Sequence, residues 1–251
     1  MIEAARVNAL LNAASMEELW GLHTKFMADY GFDRLIYGYT RYRTATSLGN
    51  PEDFLMLTNH DPSYTDVFVG EGLYFHAPMV RWALENDGAC SWAVLNAMIE
   101  SGALTDEERR VVEFNRRHGV TAGYSISFKS LSPRTKGAIA LTAAAGIPQA
   151  EVDALWARCG EQVLALNNVA HLRILSLPHT APGRTLTRRQ REVLGWVGDG
   201  KTIQDIATIM ELTPATVEKH LRLARQALSV ETTAQAVLKA AFQNQIFVLE
   251  K

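Results

Sequence analysis

A chain of 251 residues with 47% apolar and 21% charged side chains is too apolar for disorder and long enough to bury more than one core. A net charge of −2 argues against nucleic acid binding only when it is evenly spread. From Pro182 onward there are 10 Lys+Arg against 7 Asp+Glu, which leaves 15 against 20 in the first 181 residues. An acidic front and a basic tail have the signs of a non-binding unit joined to a nucleic-acid-binding one.

Taken in chain order, Ile2 to Ala13 reads as a helix with Ala5, Val7, Ala9, Leu10 and Leu11 available for burial. Ser15-x-x-Glu18 has capping-box spacing, and Leu19, Leu22, Phe26 and Tyr30 predict an amphipathic helix that Gly31 closes. Leu35 to Tyr42 and Phe54 to Thr58 suit two pairing strands around a turn at Ser47 to Pro51. Thr105-x-x-Glu108 opens a helix to about His118, with Gly119 as its cap. Two more strands, Tyr124 to Phe128 and Ala138 to Ala143, flank a Ser132-Pro133 turn. Pro148 then starts a helix to about Leu175, with Val152, Leu155, Trp156, Cys159, Val163 and Leu166 on one side.

Two prolines and a glycine interrupt the periodicity at 176–184, which reads as a linker between domains at 1–175 and 185–251. Beyond it four short helices are expected: Arg188 to Val197, Ile203 to Met210, Pro214 to Leu228 and Thr232 to Gln243. The first carries Val193, Leu194 and Trp196 or Val197 inward, and the third has an inward stripe of Val217, His220, Leu221, Ala224 and Leu228. The expected fold is an α/β front domain, an α-β-α sandwich with a mainly antiparallel sheet, followed by an all-α four-helix helix-turn-helix domain.

The three-residue turn Glu211-Leu212-Thr213 between a small helix and a longer basic one lets the second helix lie in a major groove. Its outward residues are Thr216, Glu218, Lys219, Arg222 and Arg225. Arg222 suits guanine and Glu218 suits cytosine, while Lys219, Arg225 and Lys201 suit phosphates. By periodicity alone, a helical bundle with a solvated charged face reads the same.

No apolar run approaches the roughly 18 residues that span a bilayer, and the start lacks the order of a secretory signal, so a cytoplasmic location without membrane contact is expected. Cys90 and Cys159 are expected to be buried free thiols, with no metal site. The histidines are scattered, and neither a Gly-x-Ser-x-Gly nor a phosphate-binding glycine loop is present, so no enzyme and no cofactor are expected.

The stretches Leu186 to Leu194, Gly200 to Ala207 and Thr213 to Leu221 resemble the LuxR family of helix-turn-helix regulators. The resemblance implies a double-stranded operator with two half-sites, a homodimer supported by the last helix, a structural role for Glu192, and RNA polymerase as a further partner. The front domain resembles the autoinducer-binding domain of the family's quorum-sensing members. Counting back from Ala77-Pro78, where that family has Asp-Pro, Tyr64 falls on a Trp, Phe68 on a Tyr and Gly72 on a Gly. Trp92, fourteen residues beyond Pro78, falls on a second Trp, and Gly123 on a glycine before a strand.

The resemblance therefore implies a ligand site at Tyr64, Phe68, Ala77, Trp92 and Gly123 for an acyl-homoserine lactone or a variant of it. Tyr64 keeps a donor, Phe68 lacks the hydroxyl, and Ala77 lacks the carboxylate that accepts the ligand's amide N–H. From composition alone, Tyr64, Phe68, Trp82 and Trp92 read as core aromatics. The alternative is a ligand-independent regulator whose front domain serves dimerisation only.

Overall fold

The computed structural model describes residues 2–44, 47–130, 132–179 and 185–247. Two compact units divide the chain, Met1–Leu175 and Ser176–Lys251.

In the first unit, α1 (Ile2–Asn12) and α2 (Met16–Asp29) precede β1 (Phe32–Thr40) and β2 (Leu55–Thr58), which pair antiparallel. Ser15 caps α2 by accepting from the Glu18 N–H. The core line of α2 differs from the expected one: Leu19, His23 and Met27 are buried, and Leu22, Phe26 and Tyr30 are half-buried. His23 can sit there because Asn167 Oδ1 lies 3.0 Å from its Nε2, and burial lowers its pKa to about 4, which keeps it neutral. Phe26 and Tyr30 are instead covered by the Arg6 guanidinium, at 5.3 and 5.0 Å from the ring centres. On α1, Leu10 is buried while Leu11 stays exposed.

Between Asn59 and Leu104 the sequence shows no clear periodicity, because the chain is built there from short pieces. A turn of helix, α3 (Pro62–Thr65), runs into a wider turn at Asp66–Gly70 and a 3-10 turn at Leu73–His76. Then come α4 (Pro78–Glu85), β3 (Gly88–Ser91) and α5 (Ala93–Glu100). The expected capping box of Thr105 and Glu108 opens α6 (Asp106–Arg117). Glu108, nearly buried, also pairs with Arg81 at 2.6 Å, which ties α4 to α6.

β4 (Gly123–Phe128) and β5 (Lys136–Ala143) complete an antiparallel sheet of order β2-β1-β5-β4-β3. Alternation gives the sheet two faces. Phe32, Leu35, Tyr37, Ile126, Phe128, Ile139 and Leu141 are buried on one, where α2 and α7 (Gln149–Ser176) pack. There the Tyr37 hydroxyl meets His171 Nδ1 at 2.9 Å, Phe128 stacks on His171 at 4.0 Å, and Tyr124 stacks on Trp156 at 3.9 Å. The opposite face carries Ile36, Gly38 and Thr40 of β1, Ser125 of β4, and Ala138, Ala140 and Thr142 of β5. Cys90 and Cys159 are free thiols, half-buried rather than fully buried.

In the second unit, α8 (Arg188–Gly198), α9 (Ile203–Ile209), α10 (Pro214–Leu228) and α11 (Thr233–Phe242) enclose a core of Val193, Leu194, Ile206, Val217, Leu221, Ala224, Leu228, Ala236 and Ala240. His220, expected inward, is half-buried at the edge of that core. Side-chain caps at Thr187, Thr202, Thr213 and Thr232 satisfy the first turns of all four helices. Of the expected linker, residues 180–184, which include Pro182, lie outside the described residues, as do residues 248–251 of the tail. Leu177, by contrast, is buried, and its carbonyl accepts from Asn244 Nδ2 at 3.1 Å.

Candidate functional site

A cavity of about 170 Å³ lies between the free face of the sheet and the segment from His60 to Val120. Its walls are mostly apolar: Ile36, Met56, Val80, Leu84, Leu95, Val112 and Ala140 alternate with rings. Of the five residues singled out by resemblance, Tyr64, Phe68, Ala77 and Trp92 line it. Gly123 does not. It lies beneath Trp92, where an added Cβ would come within 2.1 Å of the Leu141 carbonyl oxygen and 3.0 Å of two indole carbons. Trp82 is also outside the lining, which takes Ala83 and Leu84 from the same helix.

One wall is a column of rings. Tyr64 stacks on His60 at 4.5 Å, on Phe68 at 5.1 Å and on Phe114 at 5.3 Å. Its hydroxyl donates to Asn115 Oδ1 at 3.0 Å, and burial holds it protonated. Trp92 spends its indole N–H on Ser125 Oγ at 3.0 Å. The donor that the resemblance assigns to a ligand, the Tyr64 hydroxyl, is thus engaged within the protein, as is the Trp92 N–H. Ala77 is buried at the start of α4, where its own carbonyl accepts from the Val80 and Arg81 N–H groups and its side chain offers no cap.

Three other lining residues carry buried polar atoms that are left without a partner, and sequence reasoning missed all of them. His60 Nε2, the Tyr74 hydroxyl and Thr142 Oγ1 are buried with no hydrogen-bond partner among the described residues. Burial, helped by the Arg34 charge, lowers the His60 pKa to about 4, so the ring is neutral. Such atoms, on side chains that line a mainly apolar cavity, are suited to hydrogen-bond an uncharged ligand. For Thr142 the signal in the sequence is a hydroxyl on a strand that is otherwise apolar from Gly137 onward. Among the described residues, no cluster of His, Cys, Asp and Glu is arranged to hold a metal ion.

In the second unit, Pro214 stands in the first turn of α10, and Thr213 caps that turn by accepting from the Thr216 N–H at 3.2 Å. Lys201, Glu218, Lys219 and Arg222 are exposed. Thr216 is half-buried, its hydroxyl 2.8 Å from that of Thr213. Arg225, expected to stand outward, is half-buried because its Nη1 donates to Thr233 Oγ1 of α11 at 2.8 Å. Glu192 accepts from Arg188 and Arg189 on the outer side of α8.

Residues 15–174 match the family described as autoinducer binding domain, and residues 184–240 match that of the bacterial regulatory proteins, luxR family. The chain belongs to the LuxR family of quorum-sensing transcriptional regulators. Over 239 residues it is 24% identical to the transcriptional activator AnoR of Acinetobacter nosocomialis, covering 93% of this chain and 94% of that protein. SolR of Ralstonia nicotianae, also a transcriptional activator, is 27% identical over 241 residues, with the same coverage of 93% and 94%. The fold of this LuxR-family chain is that of Escherichia coli SdiA, with a TM-score of 0.52, 16% identity and 98% of both chains covered. The ligand-dependent factor CepR2 of Burkholderia cenocepacia matches 70% of this chain and 98% of its own, with a TM-score of 0.53 and 15% identity. Among the described residues no helix is long and apolar enough to cross a membrane.

Proposed function

We propose that this regulator senses a small, uncharged, mainly apolar acyl or aryl molecule in the cavity of its first unit. As a cytoplasmic homodimer it then binds a two-half-site operator through α10. The observation that carries this reading is a mainly apolar cavity whose lining residues include three with buried polar atoms that have no partner among the described residues. A front unit used for dimerisation alone has no reason to keep buried hydroxyls unpaired, since each costs stability.

Tyr64, Phe68 and Trp92 shape the ligand space, Gly123 seats the indole, and Ala77 removes the acceptor that an amide ligand needs. A ligand without that amide fits the site. CepR2 is described as N-acylhomoserine lactone dependent, whereas SdiA has been solved in complex with octanoyl-rac-glycerol, an ester with no amide N–H. On the DNA side, Arg222 and Glu218 face base edges, and Lys201 and Lys219 face phosphates, with Thr216 at the start of the helix. Arg225 acts mainly by holding α11, where the exposed Leu238 offers an apolar contact for a second copy.

The test is mass spectrometry of small molecules that copurify with the protein made in its own host, joined to thermal-shift titration of the emptied protein. A copurifying acyl or aryl compound that raises Tm supports the sensor. Protein that is active on DNA, carries no compound and is shifted by no acyl glycerol or lactone overturns it in favour of the ligand-independent alternative.

A further inference from the structure

The buried, unpartnered polar atoms of the lining residues do not lie together. Thr142 pairs with Arg34 at the start of β1 and with Gly123 at the start of β4, and His60 follows β2, whose last residue Thr58 pairs with Ile36. Those two groups mark one end of the sheet. Tyr74 belongs to the other. Its ring lies edge-on to Phe54 at 6.3 Å, and Phe54 immediately precedes Leu55, which pairs with Tyr39 opposite Gly137. From Gly137 to Thr142 is five residues of strand, about 17 Å.

The Tyr74 side chain is 7% exposed, lines the cavity, and has a hydroxyl with no partner among the described residues. A phenylalanine would fill the same space without leaving a buried O–H unpaired. At the same end of the sheet, Lys136 is neutralised: its Nζ donates to Asp87 Oδ1 at 2.8 Å and to the Asn86 carbonyl at 3.0 Å. The Thr40 hydroxyl there donates to the Leu48 carbonyl at 2.8 Å. Tyr74 therefore holds a buried, unpartnered hydroxyl at this end, where Asp87 takes the Lys136 charge and the Arg41 guanidinium lies over the Tyr39 ring.

We propose that the ligand is polar at both ends: a head group that meets Thr142 and His60, an apolar middle, and a neutral oxygen on its tail that pairs with the Tyr74 hydroxyl. This rests on the sensor reading above and specifies the class of molecule sensed, an acyl or aryl compound with a hydroxyl or keto group distal to its head.

The experiment uses the full chain and matched probe pairs: octanoyl glycerol with its ω-hydroxy and penultimate-keto counterparts, and N-octanoyl homoserine lactone with the same two variants. Affinity is read by calorimetry for wild type, Tyr74→Phe and Thr142→Val. Wild type is expected to prefer the better oxygenated probe over the plain chain by about tenfold, and Tyr74→Phe to reverse that order. Thr142→Val is expected to weaken both members of each pair and leave their ratio unchanged. Equal ratios in wild type and Tyr74→Phe overturn the assignment of Tyr74 while leaving the sensor intact. Binding of no probe in any pair overturns the sensor reading and this one with it.

Discussion

The Tyr64 hydroxyl donates to Asn115 Oδ1 at 3.0 Å, so the one hydrogen that this side chain can give is already placed on α6. A ligand carbonyl can receive it only if the Asn115 bond is broken. Tyr64→Phe is therefore expected to lower stability by about 1 kcal/mol, the net worth of one such bond, and to weaken ligand binding by less than about threefold. Denaturant titration and calorimetry measure the two effects. A loss of affinity beyond about tenfold would show that the hydroxyl turns to the ligand on binding.

Gly123 is demanded by packing. A side chain there would collide with the Leu141 carbonyl across the sheet and with the indole of Trp92, neither of which can swing away cheaply. Gly123→Ala is expected to destabilise the first unit by about 1 to 3 kcal/mol and to displace Trp92 from Ser125 Oγ. Indole fluorescence together with Tm checks both, and an unchanged Tm would contradict the geometry.

The long helices were legible because their signals are local. The Thr105–Glu108 box and the stripe Val217, Leu221, Ala224 and Leu228 each lie within a few turns, and the structure places those helices within a residue or two of the expected ends. The segment from Asn59 to Leu104 was not legible, since β3 has four residues and α3 a single turn, too short for a period to register. The same limit hid half the cavity. Tyr64, Phe68 and Trp92 were reached through resemblance, but nothing in the sequence says that Asn115 would take the Tyr64 hydroxyl or that Tyr74 would be left with none. Those facts arise only when α6 and the segment before it close over the sheet.

On α10, Arg222 and Arg225 are one turn apart and differ in what holds them. Arg222 is exposed and, among the described residues, bonds to Gln226 of its own helix, whereas Arg225 reaches Thr233 on α11. Arg222→Ala is expected to cost about 1 to 3 kcal/mol of operator binding, to relax preference at one base pair per half-site, and to leave Tm unchanged. Arg225→Ala should lower the Tm of the second unit as well. Fluorescence anisotropy at fixed salt and thermal melts separate the two. An operator preference untouched by Arg222→Ala would place the reading face elsewhere.

Burial lowers the pKa of His23, His60 and His171 from 6.5 to about 4. Above pH 6.5 both folded and unfolded chains leave these rings neutral, and they add no pH dependence. Between pH 6.5 and 4 the unfolded chain binds protons that the folded chain refuses, so stability falls with falling pH, by up to roughly 3 kcal/mol per ring at the lower limit. Denaturant titrations at pH 7, 6 and 5 are expected to show this decline (on the order of one pH unit per step). His60→Phe, which keeps a ring against Tyr64 and removes an unpaired nitrogen, should flatten it. Parallel profiles for wild type and His60→Phe would exclude His60 as a contributor.

Ala77 occupies the N-cap of α4 with extended backbone angles, φ −75° and ψ 122°, and is followed by Pro78 in the first turn. Aspartate is among the best residues for such a cap, because its carboxylate accepts from the free N–H groups of the first turn and meets the positive end of the helix. Burial opposes this, since Ala77 is only 5% exposed, but a capped carboxylate is partly compensated. Ala77→Asp is therefore expected to fold, with one oxygen on the helix and the other toward the cavity. A buried amide N–H without an acceptor costs about 1 to 3 kcal/mol, so an ordinary acyl-homoserine lactone should bind the variant roughly ten- to a hundredfold more tightly than wild type. An acyl glycerol, which has no amide hydrogen, should gain nothing from the same change. Thermal-shift and reporter titrations of both ligand classes against both proteins make the comparison. A nanomolar response of the wild type to a lactone, with no gain in the variant, would mean that the missing carboxylate is replaced within the cavity and that the amide is no obstacle.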